Sequence, residues 1–436
     1  MKIYIETYGC QMNEYDSEIV RAVIAAADME STSDIHAADV ILLNTCAVRE
    51  HAARRVIARI HEIHHLRRDA PALIGVLGCM ATNLKKNLPK RKKLPIDFVA
   101  GPDAYRRLPE LIRAATTSDE VPYDIELSDY ETYADVYPRR EGGINAWLAV
   151  MRGCNNFCSY CVVPYSRGRE RSRSPQSVVA ETQRLVAEGF RQVTLLGQNV
   201  NSYRHEDVDF AELLRRVSEV PGVLRVRFIS PHPKDFPLHL LKVMAGHPTI
   251  CKHVHLPLQA GNDRILKLMR RTYSKKHYLD LVEQMRSIIP GLALSTDIIV
   301  GFPGESDAEF EDTVDVVQRV RFDSAFIFKY SERPGTLAAR KYPDDVPEAV
   351  KTERIVRLNE MQRQISTEIF SAQIGAVQDI LVERQGTKKS AQQSQGRNDA
   401  NIMVILNSAT QVPGTMVRAR IHDATAHVLK GKALDD

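Results

Sequence analysis

The chain has 436 residues, 44% of them hydrophobic and 26% charged, enough core material for two to three domains at about 150 residues each. Its 59 basic and 55 acidic residues leave a net charge of +4, so any surface for a polyanion has to come from local clustering. The longest apolar run, around 71–81, falls short of the roughly 18 residues of a membrane span, and the opening Met-Lys-Ile-Tyr-Ile-Glu has no signal-peptide core. These features argue against a membrane or secreted protein and place it in the cytoplasm.

In chain order, residues 1–117 alternate apolar runs (2–9, 39–45, 72–78, 97–100) with helical patterns. One of these helices has an apolar face of Ile19, Val20, Val23, Ile24 and Ala27. That alternation predicts an open parallel α/β sheet domain. Residues 118–141 carry eight acids and four tyrosines without periodicity, and are expected to be an acidic linker. Residues 142–371 hold six candidate strands, at 146–152, 192–197, 225–230, 253–257, 293–300 and 325–330, mostly separated by helices. Six repeats fit a partial (β/α)6 TIM-like barrel better than a closed eight-strand one. Residues 337–374 read as mostly helical, interrupted at 343–347. In 372–436, short strands at 377–382, 401–406, 416–421 and 427–429, separated by turn residues, predict a small antiparallel β-barrel. A polar loop spans 385–398.

Seven cysteines, an odd number, without a secretory signal argue against a disulfide framework and toward metal. Cys154, Cys158 and Cys161 lie on one tight loop after the first barrel strand, at the strand end where such barrels do chemistry. A cubane iron–sulfur cluster has four irons, so three thiolates leave one iron open to a substrate. Zinc with a fourth ligand from elsewhere is the alternative. Cys10, Cys46 and Cys79 each end a strand of the first sheet, at the edge where open α/β sheets bind ligands. They read as a second three-cysteine cluster, against three unrelated buried thiols. Cys251 has no partner in the pattern and reads as a buried structural thiol, and Trp147 as core. His61-Glu-Ile-His-His65 satisfies the zinc-protease pattern H-E-x-x-H. Its histidines lie off the apolar stripe that includes Val56, Ile60 and Ile63, no third ligand follows, and chance is the better reading.

C-x3-C-x2-C with an aromatic, Tyr160, before the last cysteine resembles the radical S-adenosylmethionine (SAM) superfamily. Asp297-Ile-Ile-Val-Gly-Phe-Pro-Gly-Glu305 resembles that superfamily's SAM-binding strand end. Two clusters, a partial barrel and a terminal β-barrel together resemble the methylthiotransferase family over nearly the whole chain, with its N-terminal domain, radical SAM core and TRAM domain. Tyr8-Gly-Cys-Gln-Met-Asn-Glu-Tyr-Asp-Ser17, Asn44-Thr-Cys-Ala-Val-Arg-Glu50, Arg152-Gly-Cys-Asn-Asn-Phe-Cys-Ser-Tyr-Cys161, Leu196-Gly-Gln-Asn-Val-Asn-Ser-Tyr203 and Phe328-Lys-Tyr-Ser331 look like the branch of tRNA-2-methylthio-N6-dimethylallyladenosine synthases. Sister enzymes acting on a ribosomal protein carry Cys-Pro-Lys-Asn where this chain has Cys10-Gln-Met-Asn13. Pro231 and Ala47 are small departures that replace no cysteine.

The resemblance implies two [4Fe-4S] clusters, on Cys10, Cys46 and Cys79 and on Cys154, Cys158 and Cys161, with SAM as the other cofactor. One SAM would methylate a sulfur on the first cluster. A second SAM, at the other cluster, would yield the 5′-deoxyadenosyl radical that removes the C2 hydrogen of N6-isopentenyladenosine 3′ of the anticodon. Tyr160, Gln198, Asn199, Gly301, Gly304 and Glu305 are the candidate SAM contacts. The anticodon stem-loop is an unpaired, splayable target, and phosphate contacts need Lys and Arg. The candidates are Arg167, Arg169 and Arg171 beside the radical cluster, the basic run 85–93, and Lys388, Lys389 and Arg397 in the terminal barrel. A flavodoxin- or ferredoxin-type reductant and a monomer complete the expectation. The rivals are a sister enzyme acting on threonylcarbamoyl-adenosine or a ribosomal-protein aspartate, and a non-catalytic iron–sulfur RNA-binding redox sensor.

Overall fold

The computed structural model describes residues 1–46, 50–84, 94–118, 120–387 and 390–434. Six strands form the N-terminal sheet in the order Glu30–Ser31, Lys2–Tyr8, Val40–Thr45, Leu73–Gly78, Phe98–Ala100, Tyr123–Asp124, and every pairing is parallel. All six residues of Val40–Thr45 are buried, as expected of a central parallel strand covered on both faces. Val40 and Leu42 face helix Gln11–Ala26, packing with Tyr15, Ile19 and Ile24. Ile41 and Leu43 face helix Glu50–Leu66 through Val56, Ile60 and Ile63. That helix leaves His61 and His65 exposed on its other side, so H-E-x-x-H is a surface coincidence.

The acidic stretch 118–141 is laid along this domain rather than left as a bare connection. Tyr123–Asp124 adds the sixth strand. Tyr133 is fully buried, stacks on Tyr105 at 5.7 Å and donates its hydroxyl to Pro102 O at 3.1 Å. Glu131 and Asp135 pair with Arg106, so several of the acids are fixed by ion pairs.

The next six strands, Asn145–Ala149, Gln192–Leu196, Arg225–Phe228, His253–His255, Ala293–Val300 and Ser324–Lys329, form two parallel three-stranded sheets in sequence order. A parallel bridge between Val226 and Ile250 joins the two sheets, giving an open half-barrel. One face of its strands (Leu148, Leu195, Val226, Val254, Leu294, Ile298) carries the largest apolar core. The other, inner face is partly covered by the neighbouring domains. Trp147, Ala149, Leu196 and Ile229 pack into the N-terminal domain's cluster, so Trp147 is a half-buried interdomain residue rather than barrel core. Inner-face Arg225 and Arg227 donate to backbone carbonyls of the terminal domain, including Asp379 O at 2.7 Å and Asn398 O at 2.7 Å. Cys251 is buried beside Arg227 and Asp399, and burial pushes its thiol up to about 11, as suits a structural thiol.

Helices Leu337–Lys341 and Glu348–Ser371 lead to a closed barrel of Val377–Gln385, Ser394–Arg397, Met403–Leu406, Val428–Ala433 and Met416–Ala424. The sequence predicts four antiparallel strands there. The barrel has five, and the pairing of Met403–Leu406 with Val428–Ala433 is parallel. The missed strand lies in the polar loop 385–398, where Ser394, Gln395 and Gly396 are buried without an apolar alternation. Gly396 crosses so close to the Leu381 carbonyl that a β-carbon there would overlap it. Gly396→Ala is therefore expected to cost about 1–3 kcal/mol, read as a lower denaturant midpoint for the terminal barrel.

Candidate active site

The three N-terminal cysteines sit on neighbouring strands. Tyr8 pairs with Thr45, and Thr45 with Gly78, so the residues that follow are level across the sheet, with strands about 4.8 Å apart. Cys46 N–H donates to Tyr8 O and Cys79 N–H to Thr45 O, both at 2.9 Å. Cys10 caps helix Gln11–Ala26. Its N–H donates to Asn13 Oδ1 at 3.3 Å, while Asn13 Nδ2 reaches Asn44 Oδ1 at 3.1 Å and Asn44 Nδ2 returns to Asn13 O at 2.9 Å. This reciprocal pair stitches the Cys10 and Cys46 loops together. A hydrogen bond from Cys46 brings the Cys10 thiol down to about 6. The charge of Arg167 and the helix N–H groups of Asn13 and Met12 reinforce it.

The second set is held by crossing backbone. Gly153 has φ +79 and passes against the Arg169 carbonyl, leaving no room for a β-carbon. Cys154 N–H donates to Gly168 O at 3.1 Å, Cys161 N–H to Cys158 O at 3.0 Å, and Ser159 N–H to Met269 O at 3.0 Å. Gln198 Oε1 accepts from Gly153 N–H at 2.6 Å, and Arg271 Nη1 donates to Cys158 Sγ at 3.4 Å. Burial first, and the nearby Cys158 charge as well, push Cys154 up to about 11 and Cys161 up to about 12. As free thiolates the three would repel one another in a dry loop, and binding to iron relieves that repulsion. Among the described residues no three such side chains close on the position of one metal ion. A four-iron cluster sets its irons on separate corners and takes one thiolate at each.

Arg167 connects the two sets. Its Nε donates to Cys79 Sγ at 3.0 Å and its Nη2 to Asp16 Oδ2 at 2.7 Å. Arg152 Nη2 holds Asp16 Oδ1 at 2.6 Å, and the Tyr105 hydroxyl donates to Asp16 Oδ2 at 3.3 Å. Asp16 is fully buried and both arginines nearly so. Two guanidiniums against one carboxylate leave a positive charge in excess, and Arg167 Nη1, Arg152 Nε and Arg152 Nη1 have no hydrogen-bond partner among the described residues. An anionic thiolate cluster beside Cys79 fits that excess.

The arginines expected to meet RNA are therefore largely turned inward. Arg167 serves Asp16 and Cys79, and Arg171 is buried in a two-pronged pair with Asp103 at 2.7 and 3.2 Å. Each is buried with a partner inside the protein, as a buried guanidinium requires. Arg169 is exposed, over the Phe157 ring. Lys388, Lys389 and the run 85–93 lie outside the described residues. Arg397 pairs with Glu383. Glu305 also turns inward: its Oε2 accepts from Gly301 N–H at 2.6 Å and Arg354 Nη1 at 2.7 Å, so it shapes the turn rather than facing SAM. Asn199 is buried and Gln198 is spent on Gly153. Gly301 and Gly304, with φ +69 and +74, form the turn after Ala293–Val300. Tyr160 stands beside Cys161, edge-on to Phe302 at 6.5 Å. Asn13, Asn44, Asp16 and Arg152 lay within motifs read only for their cysteines, and no sequence signal marked Arg271. Asp16→Asn is expected to cost about 3–5 kcal/mol by leaving two buried guanidiniums uncompensated, measured as a lower denaturation midpoint with earlier protease cleavage between the first two domains.

The family described as "Radical SAM superfamily" matches residues 148–317, "Uncharacterized protein family UPF0004" residues 2–101, and "TRAM domain" residues 371–434. The chain is 46% identical over 444 residues to the tRNA-2-methylthio-N(6)-dimethylallyladenosine synthase of Porphyromonas gingivalis strain W83, covering 100% of this chain and 95% of that one. It is 43% identical to the enzyme of the same name from Prosthecochloris aestuarii, covering 100% and 98%. A solved radical S-adenosylmethionine methyltransferase, TsrM from Kitasatospora setae, shares the fold at a TM-score of 0.58 and 15% identity, over 78% of this chain and 74% of that one. Likeness at this level along the full length, on a fold that gathers two sets of three cysteines, means that the chain belongs to the family of tRNA-2-methylthio-N(6)-dimethylallyladenosine synthases.

Proposed function

We infer that this chain is a tRNA methylthiotransferase that converts N6-isopentenyladenosine 3′ of the anticodon to its 2-methylthio derivative. It uses one SAM as methyl donor and a second as radical source. The observation that supports this reading is that Arg167 donates to Cys79 while the adjoining Gly168 carbonyl accepts from Cys154 N–H. The C2–H of adenine offers no acidic proton, so general-base catalysis has little to act on, and a radical route meets that difficulty.

The radical SAM domain brings a [4Fe-4S] cluster and SAM. We assign that cluster to Cys154, Cys158 and Cys161 and a second one to Cys10, Cys46 and Cys79. When bound, the first supplies reductive cleavage of SAM and the second a sulfur site for methylation. The chain's own residues supply position. Gln198 and the Gly153 crossing fix the cysteine loop, and Arg271 steadies Cys158. Tyr160 provides an aromatic wall, Gly301 makes room for the Lys351 chain that backs the adjoining turn, and Gly304 leaves that turn open on its other side, where SAM can approach. Asp16, Arg152 and Arg167 hold the first sheet's cysteine edge against the barrel. Arg169 and the terminal TRAM barrel, with Lys388 and Lys389, receive the tRNA backbone. A flavodoxin- or ferredoxin-type protein supplies electrons, and the enzyme works as a cytoplasmic monomer. Among the described residues no helix is long and apolar enough to cross a membrane.

The test is nucleoside mass spectrometry after anaerobic reconstitution with SAM, reductant, sulfide and an isopentenylated anticodon stem-loop. A methylthio adduct is expected, lost in Cys154→Ala and in Cys79→Ala. The unmutated protein is expected to hold about eight irons and each variant about four. 5′-Deoxyadenosine without the adduct would reject the substrate, and about four irons in the unmutated protein would reject the second cluster.

A further inference from the structure

Strands four to six of the half-barrel carry, on their inner face, a polar chain that the cluster chemistry does not use. His253 Nε2 and His255 Nδ1 both lie 2.9 Å from Ser295 Oγ, and His255 Nε2 lies 3.2 Å from Asp297 Oδ2. A carboxylate only accepts, so His255 donates to Asp297 from Nε2, while the Ser295 hydroxyl bridges the two rings. Burial, with the charges of Arg227, His255 and Arg397 around it, takes His253 down to about 3, which keeps it neutral. The chain ends on Asp297, whose Oδ2 takes the contact from His255.

The register sets Asp297 opposite Phe326 and Ile299 opposite Phe328. Phe326 is 54% exposed and Phe328 40%, and Phe326 meets the His255 ring edge-on at 6.0 Å. Two open phenyl rings beside an oriented carboxylate are costly in water without an occupant. The inner faces of strands one to three are covered by the chain's own domains, which leaves this side for the substrate.

We propose that Asp297, positioned by His255, and Phe326 with Phe328 form the seat of the isopentenylated adenine. Asp297 accepts from N6–H and the two rings hold the apolar tail. This rests on the substrate reading above. It also gives the site its selectivity, because a threonylcarbamoyl group would bring a carboxylate against Asp297 and bare rings.

The test is equilibrium binding of the full chain to anticodon stem-loops carrying isopentenyladenosine, adenosine or threonylcarbamoyl-adenosine. The unmutated protein is expected to favour the isopentenylated loop at least about tenfold over adenosine. Phe326→Ala and Phe328→Ala are expected to lose that preference, weakening the isopentenylated complex at least about tenfold more than the adenosine one, with unchanged Tm. The isosteric Asp297→Asn is expected to weaken the isopentenylated complex and narrow the discrimination against threonylcarbamoyl-adenosine. Variants that keep the preference shown by the unmutated protein would overturn the seat alone. An unmutated protein with no preference would overturn the substrate reading and the seat with it.

Discussion

Arg167 is the residue on which the rest of the arrangement hangs. Its neighbour Gly168 receives the N–H of Cys154, and its guanidinium reaches Cys79 and Asp16, so adjoining residues hold a member of each cysteine set. Burying Arg152, Arg167 and Asp16 together is costly, and the shared carboxylate, the Tyr105 hydroxyl, the thiol and the Tyr133 ring 4.7 Å from Arg152 offset it. Once that contact is made, the N-terminal sheet has little freedom to rotate against the barrel. Arg171 with Asp103 and Arg173 with Tyr15 pin the same interface at 2.7 and 3.0 Å.

The same packing decides what remains of the half-barrel's inner surface. An eight-strand barrel fills its interior with its own side chains, whereas six strands leave a trough. Here Trp147 and Ala149 are capped by the first domain, and Arg225 and Arg227 by the last. Both neighbouring domains thus act as walls. What stays open lies along the last strands, below the turn at Gly301. A reactive radical needs shielding from competing reactions, and a trough closed by its own domains provides it on all but the side where a flipped base can enter.

The cysteines could be read from sequence because each ends a strand or sits on one short loop, and both are local patterns. The six barrel strands were readable for the same reason. Long-range electrostatics were not. Arg167 and Asp16 are 151 residues apart, and a run of alternating arginines looks the same whether it faces solvent or a buried carboxylate. The partner of Glu305 was hidden likewise, since Arg354 lies 49 residues on. Tyr133 anchors a stretch whose acids resemble a solvated connection. The strand Ser394–Arg397 has no apolar alternation because a close backbone crossing, not a hydrophobic face, holds it. Asp297 and Phe328 stood inside recognised motifs, but only the strand register showed that they share a face with His255.

We place the two clusters as neighbours, with Arg167 on Cys79 and the adjoining Gly168 carbonyl on Cys154 N–H, and their reduced forms should then couple magnetically. The most direct measurement is the electron paramagnetic resonance spectrum of the reduced, fully loaded protein against Cys79→Ala and Cys154→Ala, each retaining a single cluster. Spin–spin broadening in the loaded protein, absent from both variants, is the predicted result. A loaded spectrum equal to the plain sum of the two variants' spectra would contradict the facing of two clusters across Arg167.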